Sequence, residues 1–204
     1  MCADVYHTVD ASAEAVYTEK RSKFLAFVRP VTTEDDVKTA LSAFQLEYYD
    51  ARHVCYAYVL GPDGARFRAN DNGEPSGTAG KPILGQIHSK GLTNVLVVVV
   101  RYFGGIKLGT SGLTAAYRTA AREALDAAPV VERTVDGQLV AVVPYTGLNA
   151  AMRVVKELSP VVVEQGYSGM DCRLVLRIRL SVMPQLKERL GKIEFLRIED
   201  ETTV

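Results

Sequence analysis

Between Asn94 and Phe103 the chain carries an unbroken apolar run, Val95-Leu96-Val97-Val98-Val99-Val100, and the run ends at Gly104-Gly105. With no polar residue at either side-chain parity, such a run predicts a strand buried on both faces. Beyond the glycines, from Thr110 on, Leu113, Ala116, Tyr117, Ala120, Ala121, Ala124 and Leu125 recur at helical spacing. They give a small-residue helix face suited to close packing on a sheet. Strand, glycines, helix is an informative order.

Upstream, Lys23–Val28 reads as a strand, followed by Thr33 as a helix cap with Glu34, Asp35 and Asp36 in the first turn and Val37, Leu41 and Phe44 at helical spacing. His53–Leu60 reads as a second strand, returned by Gly61-Pro62-Asp63-Gly64 through Arg66-Phe67-Arg68 as a hairpin. The glycines and prolines from Asn70 to Pro82 predict a loop, then a short helix from Ile83 to Ser89. Around Ala128-Pro129 the pattern restarts, with strand Gln138–Val143, helix Tyr145–Leu158, hairpin Val161–Tyr167 and Cys172–Leu180, helix Pro184–Leu190 and strand Phe195–Ile198. That is a β-α-β-β-α-β order, the ferredoxin-like one. The expectation is an α+β protein of two domains, residues 1–130 and 131–204, with the boundary near residues 128–134.

Charge narrows the functional classes. Lys plus Arg and Asp plus Glu both total 24; they number 14 against 14 up to Val130 and 10 against 10 after it. Neither half is a basic module, so nucleic-acid binding would need a local patch. No stretch reaches the roughly 18 apolar residues of a membrane span, and Met1–Asp10 does not read as a signal peptide. Cys2, Cys55 and Cys172 are an odd number, far apart, which fits a reducing cytosol better than a disulfide framework or a zinc site. A cytoplasmic protein with no metal and no cofactor is expected.

Four constellations carry chemistry. In Arg101-Tyr102-Phe103-Gly104-Gly105-Ile106-Lys107-Leu108-Gly109-Thr110-Ser111-Gly112, glycines leave backbone N–H groups open at the start of a helix. With Arg101, Lys107, Thr110 and Ser111 as further donors, Gly104, Gly105 and Gly109 can frame a phosphate or carboxylate. The plainer reading is a tight turn, and neither established nucleotide fingerprint matches. In the long loop, Asp71 and Glu74 with Lys81 can serve as acid, base and charge partner, or simply shape an ordered turn. His53 and Cys55 share one strand face, where a packed pair is expected rather than a metal site. Arg173, Arg177 and Arg179 alternate with Leu174, Leu176 and Ile178; their arginine face is expected to be solvated, with RNA phosphates as the other reading.

Three runs together resemble the YigZ/IMPACT family: Glu19-Lys20-Arg21-Ser22-Lys23-Phe24, then Asn70-Asp71-Asn72-Gly73-Glu74-Pro75-Ser76-Gly77-Thr78-Ala79-Gly80-Lys81-Pro82, then Val100-Arg101-Tyr102-Phe103-Gly104-Gly105-Ile106-Lys107-Leu108-Gly109. The resemblance covers about residues 17–125, and the remainder of the chain resembles the smaller C-terminal domain of bacterial members. It implies an N-terminal βαββαβα domain of the small-subunit ribosomal-protein second-domain type and a ferredoxin-like domain similar to the last domain of elongation factor G. It also implies a link to translation, since eukaryotic members interfere with a starvation-sensing translation kinase. One departure is visible: Asp71 is followed by Asn72 where many relatives carry paired aspartates. The functional expectation is an RNA- or ribosome-linked binding protein. The alternatives are a hydrolase or transferase acting on a phosphate-bearing small molecule, and a protein-interaction module without catalysis.

Overall fold

A computed structural model describes residues 4–203, so Cys2 lies outside the described residues. The chain divides into two compact units. One is Tyr6–Arg133; the other comprises the residues from Thr134 onward together with Asp4 and Val5.

The first unit is built on a five-stranded antiparallel sheet. Its strands are β2 (Ala13–Glu19), β3 (Ser22–Pro30), β4 (His53–Leu60), β5 (Arg66–Asn70) and β6 (Val95–Tyr102), in the order β2-β3-β6-β4-β5. Three helices cover it: α1 (Glu34–Glu47), α2 (Gly80–Ser89) and α3 (Gly109–Ala127). The valine run is the central strand, and its pleat divides the core. Val95, Val97 and Val99 pack with Ile83, Ile87 and the small face of α3, whereas Leu96, Val98 and Val100 pack with Val37 and Phe44 of α1. Full burial on both faces is therefore met by helices on both sides of one sheet.

Local chemistry sets the helix starts. Thr33 closes a capping box: its hydroxyl accepts from Asp36 N–H at 3.1 Å, while the Asp36 carboxylate accepts from Thr32 N–H at 3.0 Å and Thr33 N–H at 2.9 Å. Those two donated backbone bonds hold the Asp36 carboxyl down at about 2. Helix α2 begins at Gly80, earlier than its apolar residues alone predict, and β5 runs through Asn70. The irregular loop is therefore 71–79, shorter than expected. Two further strands flank this framework, β1 (Val5–Val9) and β7 (Val130–Thr134), paired with each other.

The second unit has β8 (Asp136–Pro144), α4 (Leu148–Leu158), β9 (Val161–Ser168), β10 (Asp171–Arg179), α5 (Met183–Leu190) and β11 (Arg197–Thr203). Its antiparallel sheet has the order β11-β8-β10-β9, so the unit's last strand lies beside its first. Leu139, Ala141, Val143, Leu174, Leu176 and Ile178 pack on Ala151, Val154, Val155, Met183, Leu186 and Leu190 of the two helices. The last strand starts at Arg197, not at Phe195, because Phe195 sits at a φ of 63°, outside the range of a strand.

The arginine stripe is exposed at Arg173 and Arg179, as expected, and half-buried at Arg177, and its two exposed members also form ion pairs. Arg179 grips the Asp4 carboxylate with two N–H groups at 2.7 and 3.0 Å, Arg173 lies 3.4 Å from Glu164, and Val175 between them is buried. These acids come from sequence positions that strand alternation does not reveal. Arg179 and the Ser181 N–H drive the Asp4 carboxyl far below the ordinary aspartate range. Among the described residues no helix is long and apolar enough to cross a membrane.

Candidate functional site

Gly104 fixes the glycine run against the β2–β3 hairpin. A Cβ on Gly104 would lie 2.0 Å from the Arg21 carbonyl carbon and 2.3 Å from Ser22 N, so only glycine fits there. Its N–H donates to the buried Ser22 hydroxyl at 3.2 Å. The chain then passes Gly105 and Gly109, both at positive φ, into α3. Helix α3 opens with no side-chain cap and no acidic residue in its first turn, so its leading N–H groups point outward as donors.

Arg101, at the end of β6, is buried at 7% exposure. Its guanidinium donates to Glu74 Oε1 at 2.6 Å and lies over the rings of Phe24 and Phe103, 5.6 and 5.7 Å from their centroids. The same Glu74 oxygen accepts from the Tyr117 hydroxyl at 2.8 Å. The Cys55 sulfur lies 3.4 Å from that hydroxyl and 3.0 Å from the Asp71 carbonyl oxygen. Burial pushes the Cys55 thiol up to about 12, which makes it a poor nucleophile at neutral pH. Burial, with Cys55 and Glu74 alongside, also raises the Tyr117 hydroxyl far above its ordinary value. A strand end, a loop, a helix and a neighbouring strand are thereby joined into one buried polar chain.

Asp71 is fully committed to the loop. One carboxylate oxygen accepts from Ala79 and Gly80 N–H at 2.9 and 2.8 Å, and the other from Gly77 N–H at 2.8 Å. It caps α2 from nine residues away, supplying what Ala79 at the cap position lacks. Asn72 sits at a φ of 40°, its side-chain N–H donates to the Val54 carbonyl at 3.1 Å, and its own carbonyl lies 3.0 Å from His53 Nδ1. An ionised aspartate at position 72 would have no proton to give Val54.

These bonds make the loop sensitive to acid. Burial alone would raise the Asp71 carboxyl, but the bonds from Gly77, Gly80 and Ala79 outweigh it, and the group is lowered. A folded value below the unfolded one means that the stabilisation is complete above roughly pH 4 and fades as pH falls through the folded value. Asp71→Asn is expected to cost about 1–2 kcal/mol at neutral pH. It should also flatten the decline of melting temperature below about pH 4, as read by thermal denaturation across an acid series.

Beside these groups opens a cleft of about 420 Å³, lined by Arg52, His53, Glu74, Pro75, Arg101, Phe103, Lys107, Leu108, Gly109, Thr110 and Leu113. Of the residues singled out from sequence, Arg101, Glu74, Lys107, Gly109 and Thr110 meet there. Gly104 and Gly105 shape the approach, and Ser111 is exposed in the first turn of α3 outside the lining. Asp71 is committed to backbone, and Lys81 lines a separate depression with Gly77, Pro82 and Arg118. His53 borders the cleft while Cys55 is buried beneath it. Arg52 and Phe103 were not singled out. Phe103, an aromatic exposed at 56% after a buried strand, carried a signal in its position, and Arg52 carried none. The rim thus presents Arg52, Lys107 and the α3 N-terminus around an apolar floor, an arrangement that favours an anionic group attached to a flat or apolar body. Among the described residues no cluster of three or more His, Cys, Asp or Glu side chains could hold a metal ion.

Residues 20–125 match the Impact N-terminal domain. The chain is similar to the IMPACT family member YvyE of Bacillus subtilis, 36% identical over 80% of this chain and 75% of that protein. It is similar to the IMPACT family member YigZ of Escherichia coli, 41% identical over 52% of this chain and 53% of that protein. Among solved structures, that of a hypothetical protein superposes with a TM-score of 0.72 at 27% identity, covering 96% of this chain and 97% of the other.

Proposed function

Because this chain belongs to the IMPACT family, we propose that it is a cytoplasmic, translation-linked binding protein whose cleft takes a phosphate of RNA. The observation that carries the reading is the pairing, in one cleft, of the uncapped start of α3 with Lys107 and Arg52. Positive partial charge on backbone N–H groups and two exposed cations line one cleft, the combination that a phosphate calls for. The family's link to translation supports RNA as the bearer of that phosphate. The two units are read as a ribosomal-protein-type domain, about residues 1–130, and a ferredoxin-like domain, about 131–204. The β11-β8-β10-β9 order supports the second of these names.

Acid–base catalysis has little support in the cleft. Glu74 is the acid among the lining residues, and its Oε1 already accepts from both Arg101 and Tyr117. Asp71 is held by three backbone donors.

Arg101 is tied to Glu74, so its removal would confound binding with folding. The test therefore uses Lys107→Ala combined with Arg52→Ala, both exposed positions. Binding of ribosomes and labelled RNA at two salt concentrations is expected to weaken in the double variant, with the salt slope lowered by about 1.4 for two lost single-strand phosphate contacts. Unchanged affinity and slope would overturn the reading. A protein partner retained after nuclease treatment, with no RNA bound by the wild type, would favour an interaction module instead.

A further inference from the structure

Resting on the phosphate reading of the cleft, we infer that the site extends into a track for single-stranded RNA, in which a base stacks on Phe103 between the cleft and the β2–β3 hairpin tip. Two observations outside the cleft's cationic rim carry this.

The first is Phe103 itself. More than half exposed, it comes directly after the buried strand and lines the cleft, with the Arg101 guanidinium against its ring. Arg101 is in turn held by Glu74. An aromatic ring placed on a charge fixed by a buried ion pair is a rigid platform, and flat ligands stack on such platforms with little ordering cost.

The second is the hairpin tip. Register pairs Glu19 with Ser22, so Lys20-Arg21 is a two-residue turn, and both residues have positive φ, 45° and 66°. That turn ordinarily calls for Asn-Gly; two long cations there hold a disfavoured backbone. The contact of Gly104 with the Arg21 carbonyl and the Ser22 hydroxyl locks this tip beside the residue after Phe103. Lys20, Arg21 and Lys23 are all exposed. The nearest acid in sequence, Glu19, accepts from the Tyr17 hydroxyl. Strain kept at a cationic tip is the pattern of a functional contact.

The chain thus presents cations, an aromatic platform and cations again: the hairpin tip, Phe103, then Lys107 with Arg52. A single strand offers the matching order of phosphate, unpaired base and phosphate, whereas a duplex keeps its bases stacked inside.

Fluorescence anisotropy of the full chain with labelled oligouridine and with duplex RNA of equal length, at two salt concentrations, tests this. Lys20→Asn with Arg21→Gly removes both charges while installing the preferred turn pair, so folding is retained. It is expected to lower the salt slope for oligouridine by about 1.4. Phe103→Leu should weaken oligouridine binding by about tenfold with the slope unchanged, and Phe103→Trp should restore it. Wild-type binding should favour the single strand. If Lys107→Ala with Arg52→Ala weakens binding but the Phe103 and hairpin variants do not, the track is wrong and the phosphate cleft stands. Equal affinity for duplex overturns the stacking role, and no RNA binding by the wild type overturns track and cleft together.

Discussion

Replacing Arg101 with alanine is expected to destabilise the first unit by about 4 kcal/mol, because Glu74 would be left buried, charged and without its cation. The side chain of Glu74 is only 3% exposed, and water cannot replace the lost partner. Tyr117 would remain as a donor, but one neutral hydroxyl does not offset the desolvation of a carboxylate. Chemical denaturation measures the loss. If the orphaned charge is the cause, Arg101→Met combined with Glu74→Leu, which removes both charges, should recover more than half of it. Were the double variant as unstable as Arg101→Ala, packing around Phe24 and Phe103 and not the ion pair would be the source.

Gly104→Ala is expected to cost about 3 kcal/mol, at the upper end for added volume in a packed site. The clash is with main chain: a methyl carbon at 2.0 Å from the Arg21 carbonyl carbon can be relieved only by separating the glycine loop from the hairpin. Gly105→Ala is the control. Its φ of 88° makes alanine strained, but no atom lies within 4 Å of the added carbon, so the cost should be about 1 kcal/mol. Denaturation midpoints of the two variants should therefore separate widely, and equal midpoints would mean that the hairpin yields easily.

Legibility in the sequence depended on how local each signal is. The central strand, α1 and α3 were legible because each announces itself within a dozen residues, by an apolar run, a cap or a periodic face. β1, β2 and β7 were not. β2 alternates only between half-buried and exposed at a sheet edge, and β1 and β7 are five residues each. The runs 70–82 and 100–109 pointed at the cleft, yet not at the division of labour within it. Asp71 satisfies backbone donors six to nine residues ahead, and Glu74, Arg101, Tyr117 and Cys55 meet only once four separate segments are in place. Tyr117 looked like one more member of a small-residue helix face; its hydroxyl acquires meaning only from residues 43 and 62 positions away.

With the strand order β2-β3-β6-β4-β5, the first unit cannot close its sheet piecemeal during synthesis. β2–β3 and β4–β5 are local hairpins, each able to close as soon as its own residues are available, but neither is hydrogen-bonded to the other. The strand that joins them is the last of the five to leave the ribosome. Until Tyr102 has emerged, the growing chain holds two half-sheets with open inner edges. Loop-closure entropy then weighs against the joining step, since β6 must reach back across α1 and two hairpins. The most apolar segment of the protein therefore arrives after the edges that will receive it, and α3, which covers one of its faces, follows later still.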